Sequence, residues 1–201
     1  MKKNHPMRLA AVAGLVLLLV LLALLARHLW LSYRAARPVA PQEQAVPVRR
    51  EAVLYFAHPE GTGLIAEARD LPQCTELEVC LTQLVEALIA GPRGNLVPLF
   101  PPRTVVRSVQ VAEGIATVDF SRELATDHPG GSMTELLTVY ALADTLAVNY
   151  PHVRQVRIVL EGQPVETLKG HIDLRNPVAA DFRYTQSPES LAPAANPQEL
   201  N

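Results

Sequence analysis

Residues 105–120 read VVRSVQVAEGIATVDF, two runs of alternating apolar residues on either side of Glu113-Gly114. Such alternation is typical of β-strands, and a short connection that contains glycine is typical of a hairpin. We therefore predict two antiparallel strands here, with Val109 and Val111 of the first strand facing the second.

Helices and strands are also predicted on both sides of this hairpin. Residues 52–57, AVLYFA, form a short apolar and aromatic run that is typical of a buried strand, and residues 155–161, QVRIVLE, alternate as another strand. Apolar residues at helical spacing predict one helix within residues 71–92, and a second that starts near Met133 and ends before Pro151.

The predicted order of elements is strand, helix, strand, strand, helix, strand. In this order two helices can cover one face of a mainly antiparallel sheet, as they do in ferredoxin-like folds. We therefore predict an α+β domain in which two helices pack on a mainly antiparallel sheet.

The amino-terminal segment does not belong to a soluble fold. Residues 9–26 contain no charge, and at about 1.5 Å rise per residue a helix that continues to Trp30 crosses a hydrocarbon core of roughly 30 Å. The alternative is a removable signal peptide, but the apolar run is longer than the usual signal-peptide core and no convincing cleavage site follows it. We predict a transmembrane anchor over residues 9–30 and a cytoplasmic tail over residues 1–8.

Composition divides the rest of the chain into three parts. Residues 31–51 are predicted to be a linker, since they include RPVAPQEQAVPVRR, which has three prolines and no aromatic residue. Residues 187–201 are rich in Pro and Ala and are predicted to be disordered. Residues 52–186 provide enough chain for one domain with a single core.

The chain after residue 37 is acidic, with 12 basic and 20 acidic residues and a net charge of −8. Proteins that bind nucleic acid neutralise its phosphates with basic side chains, so nucleic acid is not an expected partner. An acidic domain is also repelled by anionic lipid headgroups.

The stretch HPGGSMTELL at residues 128–137 places a glycine-rich turn before a helix. It lacks the G-x-G-x-x-G pattern of dinucleotide sites, the G-K-[ST] end of a P-loop and the G-x-S-x-G pattern of a nucleophile elbow. It matches the S-x-x-E capping box, which predicts Ser132 and Glu135 as a helix N-cap pair. Thr75 and Glu78 form the related T-x-x-E pair at the start of the first helix.

A nucleophilic site can be assembled from Ser132, His128 and Asp119, with Asp173 as a further carboxylate, but a triad is recognised by its geometry and not by its order in the chain. No pair of carboxylates stands out as an acid and base couple, and the six histidines show no metal-ligand spacing. We therefore predict no catalytic residue, no cofactor and no metal ligand.

Two cysteines, Cys74 and Cys80, lie beside the first turn of the first predicted helix. If both were helical, they would lie about 9 Å apart along the axis, beyond the roughly 7 Å at which two cysteines can be bridged. Cys74 precedes the predicted cap at Thr75, where the chain changes direction, so a disulfide can join the incoming loop to the helix. We expect this bridge if the domain lies outside the cytoplasm.

Several segments together resemble the GerMN domain family of sporulation and spore germination proteins. They are VLYFAHPEGTGLIAEARDL, LVEALIAGP, PPRTVVRSVQVAEGIATVDFS and the stretch from GSMTELL to HIDLRNP, and the resemblance covers nearly all of residues 52–178. The shared signals include the Gly91-Pro92 helix end, V-D-F-S and G-S-x-x-E, and their order and spacing make the match specific.

The resemblance implies an extracytoplasmic α/β module on membrane-anchored proteins or lipoproteins, with no established catalytic residues. It also implies a fold that looks like the ring-building motifs of secretion systems, and an association with envelope assembly during spore formation. This chain has one copy of the module and a predicted transmembrane anchor in place of a lipidated cysteine.

We therefore expect a single-pass protein of the bacterial cytoplasmic membrane with its carboxyl-terminal domain outside the cytoplasm. Basic residues are balanced across the anchor, so the orientation rests on the cysteines and the resemblance. The expected function is non-catalytic binding and assembly, with an envelope protein, another copy of the chain or peptidoglycan as partner. The alternatives are a hydrolase of envelope polymers with a site near Ser132 and His128, and a plain spacer.

Overall fold

A computed structural model describes residues 5–35 and 48–187 of the chain. These residues belong to two compact units, Met1–Val46 and Pro47–Asn201. Parts of the predicted amino-terminal tail and linker, and nearly all of the predicted carboxyl-terminal tail, lie outside the described residues.

The first unit contains the helix α1, at His5–Ala35. Its Gly14–Tyr33 segment is long and apolar enough to cross a membrane, and a signal sequence near an amino terminus has the same length and composition. The side chains of this segment are exposed.

The second unit is an α+β domain, which confirms the predicted class. Its strands are β1 (Arg49–Ala57), β2 (Leu64–Pro72), β3 (Val106–Ala112), β4 (Ile115–Phe120), β5 (Gln155–Leu160), β6 (Gln163–Pro164), β7 (Val178–Ala179) and β8 (Thr185–Gln186). Its helices are α2 (Leu77–Ile89), α3 (Glu123–Thr126) and α4 (Ser132–Asn149), and a 3-10 turn covers Phe182–Tyr184.

The strands form two sheets. In the first sheet, β1 and β2 are antiparallel from Arg49 opposite Pro72 to Ala57 opposite Leu64, and β8 joins β2 in parallel. The second sheet has the order β3-β4-β5-β6, and β7 also pairs with β5. Here β4 and β5 are parallel, because the connection through α3 and α4 carries the chain back to the starting end of the sheet.

The hairpin predicted over residues 105–120 is confirmed as β3 and β4. Ala112 pairs with Ile115, and the two residues between them have positive φ, 54° at Glu113 and 81° at Gly114. Positive φ at both central positions is the signature of a type I′ turn, whose twist matches that of the strands it joins.

The predicted order of elements is incomplete. The strand β2 lies between the first strand and the first helix, where the sequence pattern predicts none, and the strands divide into two sheets. Charged residues interrupt the apolar alternation of β2, but Arg69 is nevertheless buried. Its guanidinium is paired with Glu67 and donates to the carbonyl oxygens of Ala87 and Gly91.

The two long helices of the domain connect the sheets. Helix α2 packs against β1 and β3, and α4 packs against β1 and β5, so each helix contacts both sheets. Fully buried side chains fill the shared core, among them Phe56, Leu84, Phe120 and Leu142. Burial of one such side chain stabilises the fold by about 1.5–3 kcal/mol.

Helix α4 starts differently from its predicted cap. The N-cap residue is Gly131 at φ 90°, and Ser132 is the first helical residue, with an exposed side chain. The N-cap position therefore makes no side-chain hydrogen bond to this end of the helix. The backbone N–H of Glu135 donates to Gly131 O at 2.9 Å, but its carboxylate is fully buried against another segment. The predicted capping box of Ser132 and Glu135 therefore does not form.

Helix α2 also lacks its predicted cap. Its N-cap residue is Glu76, which makes no side-chain cap, so the pair of Thr75 and Glu78 does not form a capping box. The Cys80 N–H donates to Glu76 O at 3.0 Å. A disulfide joins Cys80 to Cys74, with Cα atoms 5.5 Å apart, and it fixes the chain just before this end of the helix.

Candidate functional site

An apolar cleft of about 360 Å³ opens between the end of β1, residues 97–99 and the first turns of α4. Residues 128–137, which the sequence singles out, supply one wall of it. The apolar lining includes Pro59, Val97, Pro98, Leu99, Pro129 and Leu137. Of the described residues that line the cleft, none is Lys, Arg, Asp or Glu.

Two extended segments meet at the cleft. Ala57 and Val97 exchange backbone hydrogen bonds of 3.1 and 2.9 Å in an isolated β-bridge. Pro59 and Pro98 follow them, and proline has no backbone N–H with which to extend a ladder. The pairing is therefore limited to one bridge, and side chains rather than a sheet form the surface beyond it.

His58 is the buried polar side chain of the cleft lining, with 7% of its surface exposed. Its Nδ1 accepts a hydrogen bond from Glu60 N–H at 3.1 Å, and its backbone N–H donates to Gly63 O at 2.9 Å. Because Nδ1 is an acceptor, the hydrogen-bond network assigns the proton of the neutral ring to Nε2. Nε2 is buried and has no hydrogen-bond partner among the described residues.

His128 lies beside the cleft, and both of its ring nitrogens are occupied. Nδ1 accepts from Gly130 N–H at 3.1 Å, and Nε2 lies 2.9 Å from Thr138 Oγ1, to which it donates in the matching tautomer. The Thr138 hydroxyl in turn donates to Thr134 O at 2.8 Å. Burial lowers the pKa of His128, so the ring is neutral at pH 7 and stabilises the turn before α4.

Glu135 is a fully buried carboxylate that joins α4 to the loop after β6. Oε1 accepts from Leu168 N–H at 2.9 Å, and Oε2 accepts from the backbone N–H and Nδ1 of His171, both at 3.0 Å. Burial opposes ionisation of this carboxyl, but the backbone N–H groups of Lys169, Leu168 and His171, together with the His171 ring, outweigh burial and lower its pKa. Glu135 is therefore a structural anion and not a free acid.

The residues considered for nucleophilic catalysis do not converge. Ser132 is exposed at the start of α4, and the ring nitrogens of His128 are already bonded within the domain. Asp119 of β4 pairs with Arg107 at 3.2 Å, and Asp173 forms an exposed ion pair with the arginine two residues further along. None of these contacts places a base beside the Ser132 hydroxyl.

The sequence does not identify His58 as a candidate residue. It is a single histidine before a proline, and no motif surrounds it. Its environment is built by residues 97–99 and by α4, which are distant in the chain. Only the tertiary structure brings these segments together, so local spacing carries no signal for the cleft.

Comparisons with known proteins give a family and a fold. The family model Germane, whose description is "Sporulation and spore germination", matches residues 53–166. A search of curated proteins finds no match. A candidate lipoprotein from Clostridium perfringens is 23% identical, covers 67% of this chain and 89% of its own, and has a TM-score of 0.50.

A second solved structure contains the tandem GerMN domains of the sporulation protein GerM from Bacillus subtilis. It is 20% identical, covers 67% of this chain and 46% of its own, and has a TM-score of 0.52. The chain described here therefore spans about half the length of that protein. At these identities, the similarity to the two structures is one of fold.

Proposed function

The chain belongs to the Germane family of sporulation and spore germination domains, in agreement with its resemblance to GerMN domains, and we propose that it is a non-catalytic binding module of the bacterial cell envelope. In this proposal α1 anchors the chain in the cytoplasmic membrane by a single pass. The α+β domain then lies outside the cytoplasm and binds or assembles with other envelope components. Family membership and the fold shared with the tandem domains of GerM support this role.

The observation that carries the proposal is that the polar groups beside the cleft make hydrogen bonds within the domain. His128 and Glu135 are suited to act as base or acid, but their polar atoms are bonded within the domain. The cleft itself offers mainly apolar surface, and the described residues that line it include no Lys, Arg, Asp or Glu. Such a surface suits binding, whereas covalent catalysis requires a nucleophile within reach of a base.

The anchoring part of the proposal rests on α1. Its Gly14–Tyr33 segment has the length and apolar composition that a membrane-spanning helix requires. The disulfide between Cys74 and Cys80 supports an extracytoplasmic domain, because disulfides persist in oxidising compartments.

Labelling of intact cells tests the location of the domain. Ser108 is exposed on β3, so the variant Ser108→Cys provides a free thiol for a membrane-impermeant maleimide. We expect labelling before lysis, on a full-length protein that sediments with the membrane. Labelling only after lysis would place the domain inside the cell, and a shortened soluble product would show that α1 is a cleaved signal sequence. A cytoplasmic protein with an exposed cysteine serves as the control for leakage.

In-cell crosslinking tests the binding role against the alternative of a hydrolase. A membrane-impermeant crosslinker on the full-length protein is expected to capture further copies of the chain or a defined envelope protein. Ser132→Ala is expected to leave this capture and the cellular phenotype unchanged, because the hydroxyl is exposed and the ring nitrogens of His128, the base considered for it, are bonded to Thr138 and Gly130. Loss of function in a stable Ser132→Ala protein would instead support the hydrolase.

A further inference from the structure

We infer that residues 178–186 form a strap over α4 that stays closed while the Asp144 side chain is protonated and opens more readily when that side chain ionises. The strap contacts α4 and links the two sheets, because it begins with β7 beside β5 and ends with β8 beside β2. The inference goes beyond the proposed binding function, since it concerns how the domain itself responds to pH.

The strap is held mainly by short strand pairs at its two ends. The strand β7 pairs with β5 through Val178 and Ala179, and β8 pairs with β2 through Thr185 and Gln186. The side chains of residues 178–186 are exposed or half-buried, so the strap adds no fully buried side chain to the core. A segment with so few buried contacts can open while the rest of a domain stays folded.

Asp144 of α4 makes the hydrogen bond that fastens the middle of the strap. Its Oδ1 accepts from Asp181 N–H at 2.8 Å. The Asp144 side chain is fully buried, and its Oδ2 is shielded from solvent and has no hydrogen-bond partner among the described residues. Burial of a neutral carboxyl in such a site costs far less free energy than burial of the anion. The closed strap therefore favours the protonated form.

A comparison with Glu135 shows what a buried carboxylate needs in this domain. Both side chains lie on α4, and both are fully buried. The Glu135 carboxylate accepts from the backbone N–H groups of Leu168 and His171 and from the His171 ring. Asp144 accepts from one backbone N–H, so its anion lacks the partners that stabilise Glu135. Opening of the strap would give the Asp144 anion access to water in their place.

The charged groups around Asp144 do not supply the missing partners. The titratable groups that interact with Asp144 or with its neighbours are Tyr55 of β1, Tyr140 of α4, and Asp181, Arg183 and Tyr184 of the strap. Arg183 is the cation among them, but its side chain is 84% exposed and it donates to the Asp181 carboxylate. Burial raises the pKa of Asp144 from 3.8 to about 6; the hydrogen bond from Asp181 N–H opposes this shift, and the Asp181 carboxylate adds to it.

The direction of the pH dependence follows from these two states of the strap. The pKa of Asp144 is about 6 in the closed strap and returns toward 3.8 when opening exposes the carboxyl to water. The closed strap therefore binds the proton more tightly, and opening becomes more favourable as the pH rises from about 4 to 6. Between about pH 5 and about pH 7.5 the equilibrium constant for opening should increase about tenfold.

Hydrogen exchange of the full chain in phosphatidylcholine nanodiscs, followed by mass spectrometry, tests this inference. After correction for intrinsic rates, peptides from residues 178–186 should exchange about 100-fold faster than peptides from β4, because local opening requires less free energy than global unfolding. The strap exchange rate of the unchanged protein, divided by that of Asp144→Asn at the same pH, should rise about tenfold from about pH 5 to about pH 7.5. This division cancels the intrinsic pH dependence of exchange and the titration of the histidines.

Three variants separate the role of Asp144 from other ways of opening the strap. Asp144→Asn keeps an acceptor for Asp181 N–H but cannot ionise. Glu86→Gln, at an exposed carboxylate of α2, should show the same rise as the unchanged protein. In Gly63→Ala the added Cβ would lie 2.7 Å from Tyr184 O, which pushes the strap away at any pH. This variant should exchange about fivefold faster in the strap at both pH values, with no change in the pH dependence.

Three results would overturn the inference. A rate ratio that stays constant between the two pH values would show that ionisation of Asp144 is not linked to the strap. Equal protection of the strap and β4 would show that residues 178–186 open only when the whole domain unfolds. The third test needs no variant at Asp144, because the carboxyl carbon-13 signal of the unchanged protein should titrate with a pKa of about 6, and a pKa near 3.8 would contradict the inference.

Discussion

The side-chain amide of Asn149 forms two hydrogen bonds with the backbone of Val53. Its Oδ1 accepts from Val53 N–H at 3.0 Å, and its Nδ2 donates to Val53 O at 2.7 Å. The next outward-facing N–H of β1, at Tyr55, donates to Thr145 Oγ1 at 3.1 Å, and Ala57 is bonded to another segment. Helix α4 thus supplies polar side chains where a neighbouring strand would pair with β1, and it closes this edge to further strands.

Asn149→Ala is expected to lower the free energy of unfolding by about 1–2 kcal/mol, because it leaves two backbone groups of β1 without their partners. Urea titration followed by circular dichroism measures the change. The matched control is Gln110→Ala at an exposed position of β3, which should stay within about 0.5 kcal/mol of the unchanged protein. If the two variants were equally stable, α4 would not secure β1 through Asn149.

Glu135→Gln is expected to destabilise the domain by about 3 kcal/mol at pH 7, since the amide replaces a buried anion that accepts three hydrogen bonds. The pKa of Glu135 is lowered below its ordinary value of 4.5, so its stabilisation is present above pH 4.5 and is lost as the pH falls through the folded pKa.

Urea titrations across pH 3–7 test this assignment. The unchanged protein should lose more stability than Glu135→Gln as the pH falls below about 4.5, because only the unchanged protein has the anion to lose. Glu60→Gln, at an exposed carboxylate, is the control and should follow the unchanged protein. A parallel pH profile for Glu135→Gln would contradict the assignment.

Asp144 is expected to have the opposite pH dependence. Burial raises its pKa from 3.8 to about 6, against the opposing hydrogen bond from Asp181 N–H. The folded state therefore holds the proton more tightly than the unfolded state, and stability falls as the pH rises from about 4 to 6. At about 1.36 kcal/mol per pKa unit, the penalty at pH 7 is on the order of 3 kcal/mol.

Asp144→Asn removes this penalty while keeping an acceptor for Asp181 N–H. It should raise the free energy of unfolding at pH 7 by about 2 kcal/mol and have little effect at pH 4.5. Thermal melts at the two pH values provide the measurement. A variant less stable than the unchanged protein at pH 7 would show that the buried carboxylate is better compensated than its surroundings indicate.

The disulfide between Cys74 and Cys80 gives a chemical test of the compartment. Protein isolated under conditions that trap thiols is expected to take up two alkyl groups per chain only after reduction. Reduction should also lower the free energy of unfolding by about 2 kcal/mol, as expected for a short closed loop. The double variant with Ser at both positions should be insensitive to reductant. Complete alkylation without prior reduction would contradict an oxidised domain.

The sequence predicts the elements that depend on local pattern. The hairpin at residues 105–120 and the helices α2 and α4 have periodic apolar residues and local stop signals, which explains why they are identified correctly. The strand β2 is missed, because burial of Arg69 depends on Glu67 and on carbonyl oxygens of the segment that ends α2. Those contacts exist only after the chain has folded.

The polar contacts of the candidate site are predicted less well, because they depend on residues that are distant along the chain. The motif S-x-x-E suggests a local contact for Glu135, but its carboxylate binds Leu168 and His171 in a different loop. A buried carboxylate gains more from three converging donors than from one N–H at an exposed helix end. His58 becomes notable for the same kind of reason, since distant segments bury a ring whose Nε2 has no hydrogen-bond partner among the described residues.

Ser132→Ala distinguishes the observed start of α4 from the predicted one. Removal of the side chain of an N-cap residue typically lowers the free energy of unfolding by about 1 kcal/mol. Because the N-cap residue is Gly131 and Ser132 is exposed inside the first turn, we expect a change within about 0.5 kcal/mol, measured by urea titration. The matched control on the same helix is Thr138→Val, which keeps the shape of the side chain but leaves His128 Nε2 without its partner. This variant should lower the free energy of unfolding by about 1–3 kcal/mol. If Ser132→Ala lowered the free energy of unfolding by 1 kcal/mol or more, Ser132 would be the N-cap residue after all. If the variant lost function but kept its stability, the result would support the catalytic alternative.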